Sequence, residues 1–156
     1  MTRDTSYESA KKAYTLYGWF LQEAAAELGW ERAIAIQGRA GERAAGGLAR
    51  ALRARGGEGK LDASSVAAVL GEMFEGSGKD VELQITGNRV TGRCVRCALY
   101  DGLAAAGIGH STIRAVCEAL QRWQYGKLQQ EIPELKPSCR FREHAGEVCI
   151  EEIALA

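Results

Sequence analysis

The sequence predicts an α+β fold in which helices pack on an antiparallel four-stranded sheet made of two β-hairpins. Two observations support this prediction. Apolar residues recur at helical spacing over residues 6–75 and 97–132, and they alternate with polar residues over 81–95 and 137–155. A chain of 156 residues fits one domain that buries about two thirds of its unfolded surface. We therefore expect a single domain spanning residues 1–156.

The composition excludes several classes of function. Twenty basic and twenty acidic residues cancel to a formal net charge of zero, so nucleic acid is not expected as a partner. No stretch reaches the roughly 18 apolar residues that a membrane span requires. The polar start of the sequence lacks the apolar segment of a signal peptide. We expect a soluble, cytoplasmic protein whose five cysteines are thiols, catalytic groups or metal ligands.

The first half of the chain contains three predicted helices. Thr5 and Glu8 have the spacing of a capping box, and Gly29 is a plausible end for the helix that follows. A second, alanine-rich helix covers Trp30–Arg55. Its glycines predict an irregularity, and its small residues predict a homodimer contact. A loop at Gly56–Lys60 precedes a third helix, which Asp62 caps.

Strand periodicity begins after Gly78. Val81, Leu83 and Ile85 alternate with polar residues, and Gly87-Asn88 is a two-residue turn signal. Cys94 falls on the same face of the returning strand as Val90.

The second half repeats the order of helices followed by a hairpin. A short helix starts at Cys97 and is closed by Gly107, and a longer helix starts near His110 and stops at Pro133. Cys139 belongs to the second hairpin, which turns at Ala145-Gly146 and places His144 in solvent. One sheet formed from both hairpins brings Cys94, Cys97, Cys139 and Cys149 close together.

Cys97 is the leading candidate for chemistry. A cysteine reacts as the thiolate, and a helix N-terminus or a nearby cation lowers the pKa of its thiol. Cys97 lies at a predicted helix N-terminus, and Arg93 and Arg96 are close in sequence. We therefore predict an accessible, low-pKa nucleophile at Cys97, with Cys117 on the inward face of the next helix.

Two other classes of function remain open. Four thiolates that converge through the fold can bind zinc or an iron–sulfur cluster, and the candidate ligands are Cys94, Cys97, Cys117 and Cys149. A non-catalytic domain can instead bind a small molecule in an aromatic pocket formed by Trp19, Phe20 and Trp123. His110 at the start of its helix can face such a pocket.

Two segments together resemble a known family. The first consists of Gly18-Trp19-Phe20-Leu21, Glu23, Gly29 and Ala33. The second consists of Cys97-Ala98-Leu99-Tyr100-Asp101, Gly107 and Cys117, and Cys149 follows in the last strand. This pattern is similar to that of the L-2-amino-thiazoline-4-carboxylic acid hydrolase-like family and its uncharacterised relatives, and it spans roughly Tyr14 to Ile153.

The resemblance implies a helical layer on an antiparallel sheet and the ring-opening hydrolysis of a small sulfur heterocycle. In the family, water adds to the thiazoline carbon and opens the ring to a carbamoyl-cysteine. By matching position, Cys97 is the nucleophile, and Asp101 and Cys117 lie beside it. Family members often carry proline after this cysteine, where this chain has Ala98.

Overall fold

The computed structural model describes residues 3–56 and 61–156 of the chain. The helices in these ranges are α1 (Arg3–Leu28), α2 (Trp30–Gly56), α3 (Ala63–Gly76), α4 (Ala98–Ala105) and α5 (His110–Glu131). The strands are β1 (Lys79–Thr86), β2 (Arg89–Cys97), β3 (Leu135–Arg140) and β4 (Cys149–Leu155).

The strands form the predicted sheet. β1 and β2 form one antiparallel hairpin, β3 and β4 form another, and β2 pairs with β4 to join them in the order β1-β2-β4-β3. Gly87 in the first turn has a φ of 59°, a left-handed conformation that glycine adopts without strain. Pro137 lies in β3, an edge strand, where its missing N–H interrupts no ladder between inner strands. The α+β prediction is confirmed.

The helices pack in pairs over one face of the sheet. α1 packs on α4, α2 packs on α5, and α3 packs on β1. The opposite face carries exposed ion pairs such as Arg93–Glu82, whose Nη1 and Oε2 atoms are 3.0 Å apart. The buried apolar residues form two clusters. One lies around Leu52, Phe74 and Leu135, and the other lies around Leu21, Leu103 and Val116.

Two local predictions for the first half of the chain are wrong. Thr5 lies inside α1, so the predicted capping box does not start this helix. α2 is one continuous helix, although its glycines predicted an irregularity. Close packing explains two of these glycines, because a Cβ atom on Gly38 would lie 2.5 Å from Trp123 Cδ1 and one on Gly41 would lie 2.3 Å from Leu120 Cδ1. The homodimer stays a prediction, and these two glycines pack within the chain.

Several other local predictions are confirmed. The Asp62 side chain accepts a hydrogen bond from the Ser65 N–H at the start of α3. Gly107 follows α4 with a φ of 87°, and His144 is exposed. The predicted loop at Gly56–Lys60 lies mostly outside the described residues, and Gly56 itself ends α2. None of the helices in the described ranges combines the length and the apolar character that a membrane crossing demands.

Candidate functional site

Four cysteines lie in or against one apolar cluster between the sheet and helices α1, α4 and α5. Cys94 and Cys97 lie on β2, Cys149 lies directly opposite Cys94 on β4, and Cys117 lies on α5. All four belong to the apolar cluster around Leu103 or pack against it. We call these residues the thiol cluster. All five cysteines of the chain are free thiols, and Cys139 lies farther along the sheet, opposite Glu151 on β4.

The predicted accessibility of Cys97 is wrong. Cys97 is only 8% exposed and Cys94 only 3% exposed. Cys97 is the N-cap residue of α4, where the chain leaves the inner face of the sheet, so its side chain points into the core between layers. Small reagents reach this sulfur only through internal space or by a local opening of the fold.

The pKa of the Cys97 thiol nevertheless lies below its ordinary value. The largest cause is a hydrogen bond from the neighbouring Cys94 thiol to the thiolate, and burial works in the opposite direction. Lys79, the backbone N–H of Tyr100 in the first turn of α4, and Arg142 stabilise the thiolate further. Cys94 is the complementary partner, since its hydrogen bond to Cys97 and its burial raise its own pKa.

Lys79 is a half-buried cation at the junction of α3 and β1. Its Nζ atom lies 3.1 Å from Glu151 Oε1 and 5.2 Å from the centroid of the Phe74 ring. Burial disfavours the ammonium form, but Glu151 and the neighbouring Cys97 outweigh burial and raise the pKa of Lys79. Tyr125 donates a hydrogen bond to the other oxygen of Glu151, at 3.3 Å.

Arg142 is a second cation beside the thiol cluster, and it is buried. Arg142 is 8% exposed, and its Cζ atom lies 4.3 Å from the centroid of the Tyr100 ring. Among the described residues its guanidinium forms no ion pair with a carboxylate, while Cys149 accepts a hydrogen bond from it. Glu151 therefore neutralises Lys79, and a thiolate at Cys97 balances the positive charge of Arg142.

Arg93 and Arg96, the cations predicted to act near Cys97, form ion pairs with carboxylates instead. Arg93 pairs with Glu82 on the outer face of the sheet. Arg96 binds Asp80 and Asp4 at 2.7 and 2.9 Å and stacks on the Tyr7 ring at 4.1 Å. Arg93 alternates to the face opposite Cys94. The irregularity in the β1–β2 register between Asp80 and Val81 places Arg96 opposite Asp80. Both cations are paired with carboxylates, so their predicted role at the cysteine site gains no support.

Asp101 is held by α1. It accepts a hydrogen bond from the Tyr7 hydroxyl, and the Tyr7 ring also carries the Arg96 guanidinium. Burial and Asp101 together raise the pKa of Tyr7. This network joins α1, α4 and β2, and it gives Asp101 a structural partner.

His110 and Trp19 have different surroundings. His110 Nδ1 lies 2.8 Å from the Tyr100 hydroxyl, and the buried His110 Nε2 has no hydrogen-bond partner. His110 thus adjoins Arg142 through Tyr100. Trp19 and Phe20 are 54% and 67% exposed, and Trp123 packs against Gly38, so these three aromatic residues do not enclose the predicted pocket.

The thiol cluster does not fit a metal ion. Across residues 3–56 and 61–156, no three Cys, His, Asp or Glu side chains converge as a set of metal ligands. Lys79 and Arg142 also place two positive charges beside the sulfurs, which opposes a divalent cation. The zinc or iron–sulfur hypothesis for Cys94, Cys97, Cys117 and Cys149 has no geometric support.

A cavity of about 440 Å³ lies where the two apolar clusters meet. Its walls come from α2, α3, α5 and β4, and most of the lining is aliphatic. Lys79, Glu151 and Tyr125 form a polar region of its surface, and Tyr14 of α1 lines it nearby. Cys97 lies close enough to Lys79 and Tyr14 to raise the pKa of each. Lys79 and Tyr14, rather than any of the four cysteines, therefore line the part of the cavity nearest the thiol cluster.

Sequence reasoning missed Lys79, Glu151 and Arg142. One signal was present for Glu151, since Cys149, Ile153 and Leu155 alternate on the inward face of their strand and place Glu151 with them. Lys79 precedes the first alternating residue of β1, and Arg142 follows the end of β3, so periodicity carries no information about either. No protein-family model, curated protein or solved structure matches the chain.

Proposed function

We propose that this protein is a cysteine-dependent hydrolase-like enzyme that acts on a small cyclic electrophile of the amidine or thiazoline type. The proposal is supported chiefly by one arrangement, a Cys97 sulfur with a thiol donor and the cations Lys79 and Arg142 around it, near a cavity. These two cations exceed the one nearby carboxylate, Glu151, so the site favours an anionic sulfur. The resemblance of the segment from Cys97 to Cys117 to the thiazoline hydrolase-like family points to the same reaction class.

The chemistry follows from the protonation states of two groups, a thiolate at Cys97 and a neutral thiol at Cys94. The Cys97 thiolate adds to the amidine-type carbon, and the electron pair of the C=N bond moves to nitrogen. The ring C–S bond then breaks, and the leaving sulfur takes a proton from the neutral Cys94 thiol. Water adds to the same carbon and releases Cys97 as a thiolate, while a proton from water restores Cys94. The net reaction consumes one water and yields a ring-opened carbamoyl compound.

The cavity places a limit on the substrate. The ammonium group of Lys79, the only described cation that lines the cavity, is already paired with Glu151. A free carboxylate is therefore poorly matched to these walls, and the mostly aliphatic lining favours an apolar substituent on the reactive ring.

The test combines alkylation with turnover. Iodoacetamide modification of each thiol is followed by mass spectrometry from pH 5 to 9, in the wild type and in Lys79→Met. We expect Cys97 to react with a midpoint below its ordinary pKa. The midpoint should rise in Lys79→Met, because that variant removes a cation and leaves Glu151 unpaired. Lys79→Met with Glu151→Gln separates these two effects.

Cys139→Ala is the matched control, since it removes a thiol outside the cluster. Hydrolysis of 2-amino-2-thiazoline and its alkyl-substituted derivatives should be lost in Cys97→Ser and retained in Cys139→Ala. Turnover that survives in Cys97→Ser, or a Cys97 that resists alkylation throughout the pH range, would remove the basis for the proposal.

A further inference from the structure

The cavity between the two apolar clusters has walls with a definite chemistry. Its aliphatic lining comes from four helices and the sheet, and includes Leu48, Leu70, Leu99, Leu120, Leu128 and Ile153. The cavity opens to solvent where the exposed residues Ala51, Glu72 and Met73 lie on its wall. Its volume of about 440 Å³ falls within the range of small-molecule sites, roughly 300–1,000 Å³.

One polar atom on the wall has no partner. The side-chain oxygen Oε1 of Gln121 is buried and accepts no hydrogen bond, and Gln121 lines the cavity. A buried acceptor without a donor is costly, so native interiors rarely leave one unmatched. The hydroxyl of Tyr125, one turn along α5, already donates to Glu151. A donor for Gln121 Oε1 can come from water or from a molecule bound in the cavity.

The charges on the lining exclude one class of ligand. Lys79 is paired with Glu151, and Glu72, also on the wall, pairs with Arg55 outside at 3.1 Å. The described lining thus carries two carboxylates and one ammonium group. An anionic ligand is disfavoured on these walls, and a neutral ligand is compatible with them.

We propose that the cavity binds a neutral, largely apolar small molecule that carries one hydrogen-bond donor, a hydroxyl or N–H group directed at Gln121 Oε1. This inference deepens the proposed function by giving the class of molecule that the cavity beside Cys97 accepts. Binding itself requires no reaction at Cys97.

The test uses 2-naphthol, its methyl ether 2-methoxynaphthalene, and 2-naphthoate, titrated calorimetrically into the wild-type chain at pH 7. These probes share one ring system and differ in the donor or the charge. We expect 2-naphthol to bind at least about tenfold more tightly than the ether, the difference that one buried hydrogen bond makes, and 2-naphthoate to bind most weakly. Equal affinities for 2-naphthol and the ether, tightest binding of the naphthoate, or no binding of any probe would overturn the inference.

Two variants locate the site. Gln121→Leu should abolish the preference for 2-naphthol while retaining the ether, and Leu48→Trp should weaken both probes at least about tenfold by filling the cavity. A preference that persists in Gln121→Leu, or affinities unchanged in Leu48→Trp, contradicts the inference. Cys97→Ser separates the two proposals, because it should bind 2-naphthol with unchanged affinity even though turnover is lost. If wild-type Cys97 proves inert while Gln121→Leu behaves as expected, the proposed function fails and the ligand site stands.

Discussion

Tyr7 and Asp101 form a hydrogen bond between side chains that are 94 positions apart in the sequence. Tyr7 is buried, and the Arg96 guanidinium covers its ring. The two residues therefore fix the start of α1 against α4 on the side of Arg96. At this scale, the hydrogen bond from Tyr7 gives Asp101 a structural role between α1 and α4, and its predicted role beside Cys97 stays a prediction.

This assignment predicts the effect of removing the Tyr7 hydroxyl. Tyr7→Phe leaves a partly buried Asp101 oxygen without its donor, so we expect the free energy of unfolding to fall by about 1–3 kcal/mol. Urea denaturation followed by circular dichroism measures this change. Asp101→Asn keeps an acceptor oxygen and should cost less. Neither variant should move the pH midpoint of Cys97 alkylation. A shift in that midpoint would show that Asp101 influences the Cys97 thiol.

The cations of the site show what the sequence can predict for single residues. The position of Cys97 at the start of a helix was predictable, because strand alternation ends there and helical spacing begins. Its cations were not predictable from neighbours in sequence. Arg93 alternates to the outer face, while Lys79 and Arg142 reach the cysteines only because β1, β2 and β4 are adjacent. Proximity across a sheet depends on register, which a single sequence specifies weakly.

α2 and α5 form a close helix pair. Gly38 lies against Trp123 Cδ1 and the Ala119 carbonyl oxygen, so the two backbones approach at a point where no side chain fits. Gly46, on the same helix, faces only the mobile end of Arg50. The sequence shows glycines in both places, and helix propensity alone treats them alike. Only the position of the partner helix distinguishes them.

The pair of glycines supplies a matched prediction. Gly38→Ala gains helix propensity but forces a Cβ atom against the indole of Trp123 and the backbone of α5, so we expect a net destabilisation of about 1–3 kcal/mol. Gly46→Ala adds the same methyl group in open space and should stabilise the fold by up to about 1 kcal/mol. Urea denaturation of both variants measures the difference. Equal stabilisation by the two substitutions would show that α2 and α5 do not pack this closely.

At the scale of the whole molecule, the sequence predicted the sheet because two hairpins with inward apolar residues have few other ways to bury them. That argument did not specify which strands join the two hairpins; β2 pairs with β4, and this pairing places Cys94 opposite Cys149. The cavity was not predictable, since it arises where two apolar clusters meet without filling the space between them. Voids depend on side-chain packing in three dimensions, which hydrophobic spacing along a chain does not encode.

Buried thiols make the stability of the entire fold sensitive to alkaline pH. Burial raises the pKa of Cys117 and of Cys139 to about 12 in each case, and the pKa of Cys94 also rises. Unfolded thiols ionise near pH 8.5. Between about pH 8.5 and 12 the unfolded chain therefore binds fewer protons than the folded chain, and stability falls as pH rises. Cys97 has a lowered pKa, so its stabilising contribution grows as the pH rises to about 8.5 and is then constant, because Cys97 is a thiolate in both states above that pH.

The expected loss is measurable one thiol at a time. Each thiol that stays protonated in the fold and ionises in the unfolded chain reduces the free energy of unfolding by up to about 1.4 kcal/mol per pH unit. We expect the free energy of unfolding, measured by urea denaturation under reducing conditions, to decline steadily from pH 8.5 to 10.5. Cys139→Ala should reduce the slope of this decline by the contribution of one thiol. Cys97→Ser should leave this decline nearly unchanged, because Cys97 is ionised in both states above about pH 8.5, and should instead remove a gain in stability below that pH. A slope that Cys139→Ala leaves unchanged would mean that the Cys139 thiol ionises as readily in the fold as in the unfolded chain, and that the inner face of the sheet near Glu151 admits water.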